Sequence, residues 1–270
     1  MGDWTFDPLQ LAPLALVVVA YAVRARTLAR RRTPVPRARY ALFAAGVVLV
    51  LVAVVSPVAE LSEERFALHM VQHLLLGDLA PLALLAGLTG PLLRPVLALP
   101  PVRALRVLAH PLIALPVWVA NLFLWHVPFA YEAAIENDLV HAVEHLSFFA
   151  AGTLMWMPVL ETLPAPAWFG SGAKLGYIVA VRLASTLLAN VFLWSGTVFY
   201  EPYVAVGLSD QAAAGAIMLV EGSLVTFAAF AWLFLRLFSE GERRQELLER
   251  GADPRTVERA VRYGRADDLS

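Results

Sequence analysis

Residues 66–88 read FALHMVQHLLLGDLAPLALLAGL, a stretch in which Asp78 is the single acidic residue and no lysine or arginine occurs. About 20 consecutive, mostly apolar residues are enough for an α-helix to cross the hydrocarbon core of a bilayer. The stretch therefore predicts a transmembrane helix, although His69 and His73 lie close to its start.

The whole chain has the composition of a polytopic membrane protein. Of its 270 residues, 59% are hydrophobic and 16% are charged, which is unusual for a soluble domain of this size. The predicted fold is all-α, a bundle of seven transmembrane helices, because seven stretches are long and apolar enough to span a bilayer. The predicted spans are 8–29, 40–59, 66–88, 111–131, 141–160, 174–200 and 211–237.

The first span is predicted to remain uncleaved. No basic residue precedes it, and several arginines follow it, from Arg24 to Arg32, which is the reverse of a secretory signal peptide. The chain contains no cysteine, which excludes a disulfide framework and any thiolate metal site. The net charge is −1, and no basic patch lies outside the loops and the tail, so no nucleic-acid partner is expected.

The distribution of charge between the loops predicts the orientation of the bundle. Arginines are concentrated in loops 30–39 and 89–110 and in the tail, whereas the alternate loops are acidic. Because basic loops stay on the cytoplasmic side, the N-terminus is predicted outside and the C-terminus in the cytoplasm. The chain then divides into a transmembrane domain, residues 1–238, and a polar cytoplasmic tail, residues 239–270. The tail is expected to form one or two short helices, and both a solubilising surface and a docking role remain open.

Two blocks of sequence recur in the middle of the chain. HMVQHL (69–74) matches HAVEHL (141–146), and ANLFLWHVPFAYE (120–132) matches ANVFLWSGTVFYE (189–201). The offsets are 72 residues (141 minus 69) and 69 residues (189 minus 120). Spans three and four therefore look like a copy of spans five and six in the same orientation, and parallel repeats of this kind often build a site between the copies. A chance likeness between aromatic-rich helix ends is the alternative.

The predicted topology brings five histidines to the outer ends of three helices. His69 and His73 lie in the first turns of span three, and His141 and His145 open span five. Each pair is spaced i, i+4 and so shares one helix face. His126 lies near the outer end of span four, and all five fall within about 10 Å of the outer boundary. Paired imidazoles at helical spacing are typical metal ligands that suit copper, zinc or iron; interfacial residues bonded to headgroups or loops are the alternative.

Three neighbours of these histidines are candidates for supporting roles. Met70 offers a thioether that suits Cu(I), with core packing as the alternative. Gln72 and Glu144 each precede a histidine and are predicted to orient the imidazoles from outside the ligand shell. The sixth histidine, His110, is predicted at the cytoplasmic start of span four, apart from this layer.

A second polar layer is predicted near the middle of the bilayer. Asp78, Arg182 and Glu221 lie inside spans three, six and seven, about 15–18 Å from the outer face. Unpaired charges at this depth are costly, so Arg182 is expected to pair with Asp78, Glu221 or both. Two interpretations remain open, a structural ion pair that fixes helix registry and a path for protons or an ion.

The segments HMVQHLLL, PLLRPVL, LFLWHVPFAYEAA, LVHAVEHLSFFAAGTLMWMPVL and DQAAAGAIM together resemble the CtaG-type family of cytochrome c oxidase assembly factors. The resemblance covers residues 40–237, most of the chain. It implies an integral membrane protein of the bacterial plasma membrane that supplies copper to the catalytic subunit of the oxidase. It also implies that the five histidines match the family's histidine motifs, and that Asp210 and Gln211 match another of its segments. Asp78 is not part of that pattern.

The histidine layer and the resemblance together give the expected function. Copper, expected as Cu(I), is received from an extracytoplasmic donor protein, held by the histidines within the lipid bilayer and delivered to the oxidase catalytic subunit. No bond has to be broken, so an enzyme is not expected.

Three other interpretations remain open. Histidines on facing helices can ligate haem. HAVEH (141–145) fits the inverted zinc-protease motif, although the first copy has glutamine in place of glutamate. The midplane charges fit a metal or proton transporter.

Overall fold

The computed structural model describes residues 8–100, 102, 106–163 and 165–262. Within these ranges the chain is helical and contains no β-strand. A π-helical turn, Leu75–Leu79, joins α4 to α5, and short 3₁₀ turns occur at Arg106–Ala109 and Glu201–Tyr203. The helices are α1 Pro8–Arg30, α2 Arg37–Val55, α3 Pro57–Glu64, α4 Phe66–Leu74, α5 Ala80–Gly87, α6 Gly90–Leu97, α7 Pro111–Trp125, α8 Pro128–Glu136, α9 Asp138–Leu160, α10 Ser171–Trp194, α11 Leu208–Glu249 and α12 Pro254–Arg262.

The predicted all-α membrane fold is confirmed for the described residues. Six helices are long and apolar enough to cross a membrane, and the count rises to seven if α7 and α8 form one broken span. The six are α1, α2, the continuous rod from α4 to α5, α9, α10 and α11. The orientation of the bundle and the two-helix repeat stay predictions.

The fourth predicted span, 111–131, is not one straight helix. A bend of 71° separates α7 from α8. Pro128 opens α8, and because proline lacks an N–H and clashes with the preceding turn, a helix cannot run straight through it. Val127 is accordingly extended, with φ −74° and ψ 133°, as expected for a residue before proline. The Trp-His-Val-Pro sequence therefore ends α7 and leaves His126 at the bend.

Two other predicted spans end earlier than expected. Span 40–59 stops at Val55, where the hydroxyl of Ser56 caps the short helix α3 by accepting the Val58 N–H at 3.2 Å. Span 174–200 stops at Trp194, and Ser195 instead folds into a turn by donating its hydroxyl to the carbonyl of Thr197.

The chain separates into two compact units. The first comprises Met1–Ala165 and Leu183–Glu221, and the second comprises Pro166–Arg182 and Gly222–Ser270. The predicted boundary between residues 238 and 239 falls inside α11, which continues to Glu249. In the second unit, α12 provides one of the predicted tail helices, and residues 263–270 lie outside the described ranges.

The second unit has a small core of its own. Leu247, Val257 and Val261 are buried against one another. Gly251, with φ of +83°, lies in the turn between α11 and α12, and this left-handed conformation is one that glycine adopts without steric cost.

In the first unit, α2 and α5 pack closely because glycine faces the partner helix at two levels. A β carbon at Gly46 would lie 2.6 Å from Cγ of Leu84, and one at Gly87 would lie 2.6 Å from Cβ of Phe43. Small residues at helix contacts are a common device in membrane bundles, where close packing replaces much of the hydrophobic driving force. Phe43 and Leu84 belong to the buried apolar cluster that α1, α2 and α5 share.

A second close contact joins the π turn to α9. A β carbon on Gly152 would overlap the carbonyl oxygen of Gly77, and one on Gly77 would lie 3.3 Å from the ring of Phe148. Gly77 follows His73 by about one helical turn. The contact therefore fixes α4 and α9 against each other at the level where both helices carry histidines.

We expect Gly152→Ala to destabilise the protein, because the added methyl group has no space beside Gly77. Overpacking of this kind costs about 1–3 kcal/mol. Thermal unfolding in detergent micelles measures the loss. Gly176→Ala in α10 is the matched control, since a β carbon there would meet nothing within 4 Å. Equal melting temperatures for Gly152→Ala and wild type would contradict the importance of this contact.

Candidate metal centre

Two helices present their histidine pairs to each other. The ring centroids of His69 and His73 on α4 are 4.2 Å apart, and those of His141 and His145 on α9 are also 4.2 Å apart. His69 stacks on His141 at 5.6 Å. His73 lies 5.9 Å from His145. Since the first member of one pair faces the first member of the other, α4 and α9 run in the same direction.

Side-chain oxygens cap the start of both histidine-bearing helices. The amide oxygen of Asn137 accepts the N–H groups of Leu139 and Val140 at 3.0 and 3.1 Å, just before the α9 histidines. A carboxylate oxygen of Asp210 accepts the Ala67 N–H at 3.3 Å, just before the α4 histidines. The first N–H groups of a helix need such partners, so both caps fix where the imidazoles begin.

His126 joins the two pairs from the bend after α7. Its ring centroid lies 6.0 Å from that of His73. The Nδ1 atom lies 2.6 Å from the carbonyl oxygen of Leu122, and a carbonyl can only accept, so Nδ1 carries the hydrogen. Nε2 then has a free lone pair, which is the form of imidazole that binds metals. Three elements thus bring all five predicted histidines together.

Glu144 lies among these rings and is fully buried. Its Oε1 is 3.4 Å from Nε2 of His73, and its Oε2 is 3.8 Å from Nε2 of His69. Both separations are longer than a well-formed hydrogen bond. Glu144 also completes a second group of three with His141 and His145, and within each group one ligand atom per residue lies within 4.8 Å of the others.

The six residues form what we call the histidine–carboxylate cluster: His69, His73, His126, His141, His145 and Glu144. Buried polar groups are almost always hydrogen-bonded, yet most polar atoms of this cluster have no hydrogen-bond partner among the described residues. These atoms are both ring nitrogens of His69, His73 and His145, Nε2 of His126 and His141, and both carboxylate oxygens of Glu144. Converging lone pairs of nitrogen and oxygen are the donor set that a transition-metal cation requires, so the cluster fits a metal ion.

Tyrosines form an aromatic wall beside the cluster. Tyr131 lies 4.9 Å from the ring of His69 and stacks on Tyr200 at 4.0 Å, between ring centroids. The hydroxyl of Tyr200 donates to the backbone carbonyl of His126 at 2.9 Å. That of Tyr203 donates to the carbonyl of Ser62 at the same distance. Burial raises the pKa of the Tyr200 and Tyr203 phenols above the usual value, so both remain hydrogen-bond donors at neutral pH.

No role for these tyrosines was predicted from the sequence, although a signal was present. Tyr131 and Tyr200 occupy matched places in the two recurring blocks, FAYE and VFYE. The next matched residues also meet, because the backbone N–H of Glu201 donates to a carboxylate oxygen of Glu132 at 3.1 Å. Matched positions of the recurring blocks therefore lie side by side next to the histidine–carboxylate cluster.

The other predicted neighbours of the histidines are buried. Gln72 donates its side-chain N–H to the carbonyl of Ala53 on α2 at 2.9 Å, a bond that ties α4 to α2. Its predicted influence on the imidazoles stays a prediction, as does the role of Met70 as a sulfur ligand.

His110 caps α7 by accepting the Leu112 N–H on Nδ1 at 3.3 Å. Gln211 holds the loop before α11 by accepting from the Phe199 N–H at 2.9 Å.

Two residues of the predicted midplane layer, Asp78 and Arg182, have hydrogen-bond partners in the structure. Asp78 lies in the π turn and accepts a hydrogen bond from the indole N–H of Trp156 at 2.7 Å. The carboxyl groups of Asp78 and Glu221 lie close enough to interact. Arg182 donates to the hydroxyl of Ser223 at 2.9 Å. The ion pair between Arg182 and these carboxyl groups stays a prediction.

Fold and site together define a class, an all-helical membrane protein with a buried histidine–carboxylate cluster between two parallel helices. Within that class the chain belongs to the cytochrome c oxidase caa3 assembly factor family (Caa3_CtaG), whose family model matches residues 19–240. The resemblance seen in the sequence is thereby confirmed.

Two curated relatives are similar to the chain at a lower level. One is an uncharacterized protein of Mycobacterium bovis and the other an uncharacterized protein of Mycobacterium tuberculosis. Each is 22% identical over 240 residues, which cover 79% of this chain and 36% of the relative. The chain thus spans about a third of the length of the curated relatives it matches. No solved structure matches the chain.

We expect Tyr200→Phe to lower stability, because the buried carbonyl of His126 loses its donor. Such a loss costs about 1–3 kcal/mol. Thermal unfolding in detergent is again the measurement. Tyr40→Phe is the control, since Tyr40 is 40% exposed. If both variants have the same melting temperature as wild type, the Tyr200 hydroxyl does not stabilise the bend.

Proposed function

We propose that this protein binds copper at the histidine–carboxylate cluster on the extracytoplasmic side of the bacterial plasma membrane and delivers it to the catalytic subunit of cytochrome c oxidase. One observation carries the proposal. Four buried imidazoles and one half-buried imidazole, on three helical elements, gather beside one carboxylate, and most of their nitrogens have no partner among the described residues. The family description supplies the oxidase as the complex that is assembled.

The donor set suits copper as a cargo. Imidazole nitrogen is a good ligand for copper in either oxidation state, and the chain has no cysteine that would hold the ion more tightly. The protein only has to bind and release the ion, so the proposal requires no covalent chemistry and describes a metallochaperone rather than an enzyme.

The surroundings of the cluster support uptake from one end. His141 is half-buried, whereas the other four histidines are buried. The segment just before it carries the exposed acidic residues Glu136 and Asp138. Negative charge at the mouth of a site raises the local concentration of cations. An extracytoplasmic copper donor would therefore meet the cluster at the start of α9.

Copper loading tests whether the cluster binds copper. Purified protein in detergent is incubated anaerobically with Cu(I), desalted and analysed by mass spectrometry. We expect near-stoichiometric copper in wild type and in His110→Ala, whose imidazole caps α7, and loss of copper in His73→Ala/His145→Ala. Copper retained by the double variant would contradict the proposed site. A Soret band in the purified protein would contradict a copper cargo and favour haem.

Oxidase assembly tests delivery. In cells that depend on this protein, His73→Ala/His145→Ala is expected to leave the oxidase catalytic subunit deficient in copper and low in activity, with partial recovery when copper is added to the medium. His110→Ala should assemble oxidase normally. Normal copper content of the oxidase in the double variant would show that delivery does not depend on the cluster.

A further inference from the structure

Two bis-imidazole positions share one carboxylate. We name the His141 and His145 pair the outer position and the His69 and His73 pair the inner position. Glu144 completes a group of three ligands with each pair. We infer that Glu144 is a metal ligand common to both positions, and that a single Cu(I) ion passes from the outer to the inner position while it stays bound to this carboxylate. The inference rests on the proposed copper binding and adds the order in which the ligands act.

The distances place Glu144 in the ligand shell. A metal ion at about 2.0–2.1 Å from two ligand atoms holds those atoms about 3.3–3.6 Å apart at tetrahedral or trigonal angles. The carboxylate oxygens lie 3.4 Å from Nε2 of His73 and 3.8 Å from Nε2 of His69. Each oxygen thus faces a different imidazole of the inner position at nearly the separation that a shared ion sets. On its own helix, Glu144 directly precedes His145 of the outer position.

Charge limits the cluster to one monovalent ion. Neutral imidazoles add no charge, and Glu144 is the carboxylate of both candidate groups found among the described residues. One Cu(I) ion with one carboxylate leaves no net charge, whereas two ions, or a divalent ion, would leave the buried site positive. An uncompensated charge in a low-dielectric interior costs several kcal/mol, so single occupancy by Cu(I) is favoured.

The recurring sequence explains why there is one carboxylate and not two. Gln72 occupies the place in the first histidine phrase that Glu144 occupies in the second. The amide of Gln72 carries no charge and is bound to the carbonyl of Ala53. Only the second phrase therefore supplies an anion, and both pairs must use it.

Burial gives the direction of transfer. His141 is half-buried, while the exposed fractions of His145, His73 and His69 are 6%, 3% and 0%. The ion therefore arrives at the outer position and moves inward. His126 lies next to the inner position, 6.0 Å from His73 between ring centroids, and its buried Nε2 can accept the ion next.

The step itself is a ligand exchange. Bonds from copper to the two outer imidazoles break as bonds to the two inner imidazoles form, and the bond to a Glu144 oxygen persists. The oxidation state of copper does not change, and no proton has to move. Because the carboxylate never releases the ion, copper is never left without an anionic partner inside the protein.

Three double variants, each lacking two imidazoles, distinguish this mechanism from binding at a single site formed by four histidines. His141→Ala/His145→Ala leaves the inner position complete, and His69→Ala/His73→Ala leaves the outer position complete. Each is expected to keep one Cu(I), with affinity reduced by less than about tenfold as measured by competition with a chromogenic Cu(I) chelator. His73→Ala/His145→Ala takes one ligand from each position and is expected to lose copper. If the three double variants lose copper equally, or if wild type binds two ions, the inference is wrong.

Glu144 is tested in the same assay. Glu144→Gln should weaken Cu(I) binding by more than about tenfold and should abolish it in either half-site variant. Glu258→Gln is the control, because it removes an exposed carboxylate from α12, which contributes no residue to the cluster. Wild-type affinity in Glu144→Gln would overturn the shared-ligand role.

X-ray absorption distinguishes a ligand from a residue that only orients ligands. Glu144→Met places a thioether at the shared position, so the Cu(I)-loaded variant should show one sulfur scatterer more than wild type. Gln72→Met is the matched control and should add no sulfur signal. Bound copper without added sulfur in Glu144→Met would contradict direct ligation.

The outcomes for the two proposals are distinct. Absence of copper from wild type would overturn the proposed function itself. Copper in wild type, together with equal loss in all double variants, would overturn only the shared-carboxylate mechanism. Thermal unfolding confirms that each variant is folded, and where an alanine pair does not fold, the corresponding glutamine pair, which retains more side-chain volume, replaces it.

Discussion

The contact between Gly77 and Gly152 is the constraint on which the histidine–carboxylate cluster depends. It allows the π turn and α9 to approach until the backbone of one helix meets the Cα of the other. A side chain at Gly152 would overlap the backbone of Gly77 and separate α4 from α9, and the opposed imidazoles would then no longer converge on one carboxylate. The π turn adds to this precision, since it alters the rotation of the rod below His73, and such turns often occur at functional sites.

The histidine–carboxylate cluster combines rigidly placed imidazoles with a surrounding layer of aromatic side chains. Helix caps at Ala67 and Leu139 fix the N-terminal ends of α4 and α9. Tyr131 and Tyr200 stack beside the rings, and Phe148 closes the space beneath His73, 4.3 Å away between ring centroids. A dry, preorganised set of neutral imidazoles around one anion favours a monovalent cation, and this property links the geometry to the proposed copper cargo.

Much of the architecture could be predicted from local sequence because it depends on local physics. Apolar length predicts the helices, and the i, i+4 spacing of each histidine pair fixes a common face. The bend at Val127 and the early end of α2 could not be predicted from apolar length, because a proline interrupts the backbone hydrogen bonding without lowering hydropathy. The approach of Glu144 to His69 and His73 could not be predicted for a related reason: the helical period places Glu144 beside His145 but does not show which residues the opposite helix presents to it.

The sequence by itself determined an all-helical membrane fold, membership in an oxidase assembly family and the five histidines that gather at one site. These features follow from composition, residue spacing and sequence motifs, all of which are visible in the linear sequence. Only the tertiary structure decided that the rings of the two histidine pairs face each other, that tyrosines lie beside the site and that Glu144 lies between both pairs. Those features depend on the rotation and separation of neighbouring helices, which are set by glycine contacts between residues 75 positions apart in the chain (152 minus 77).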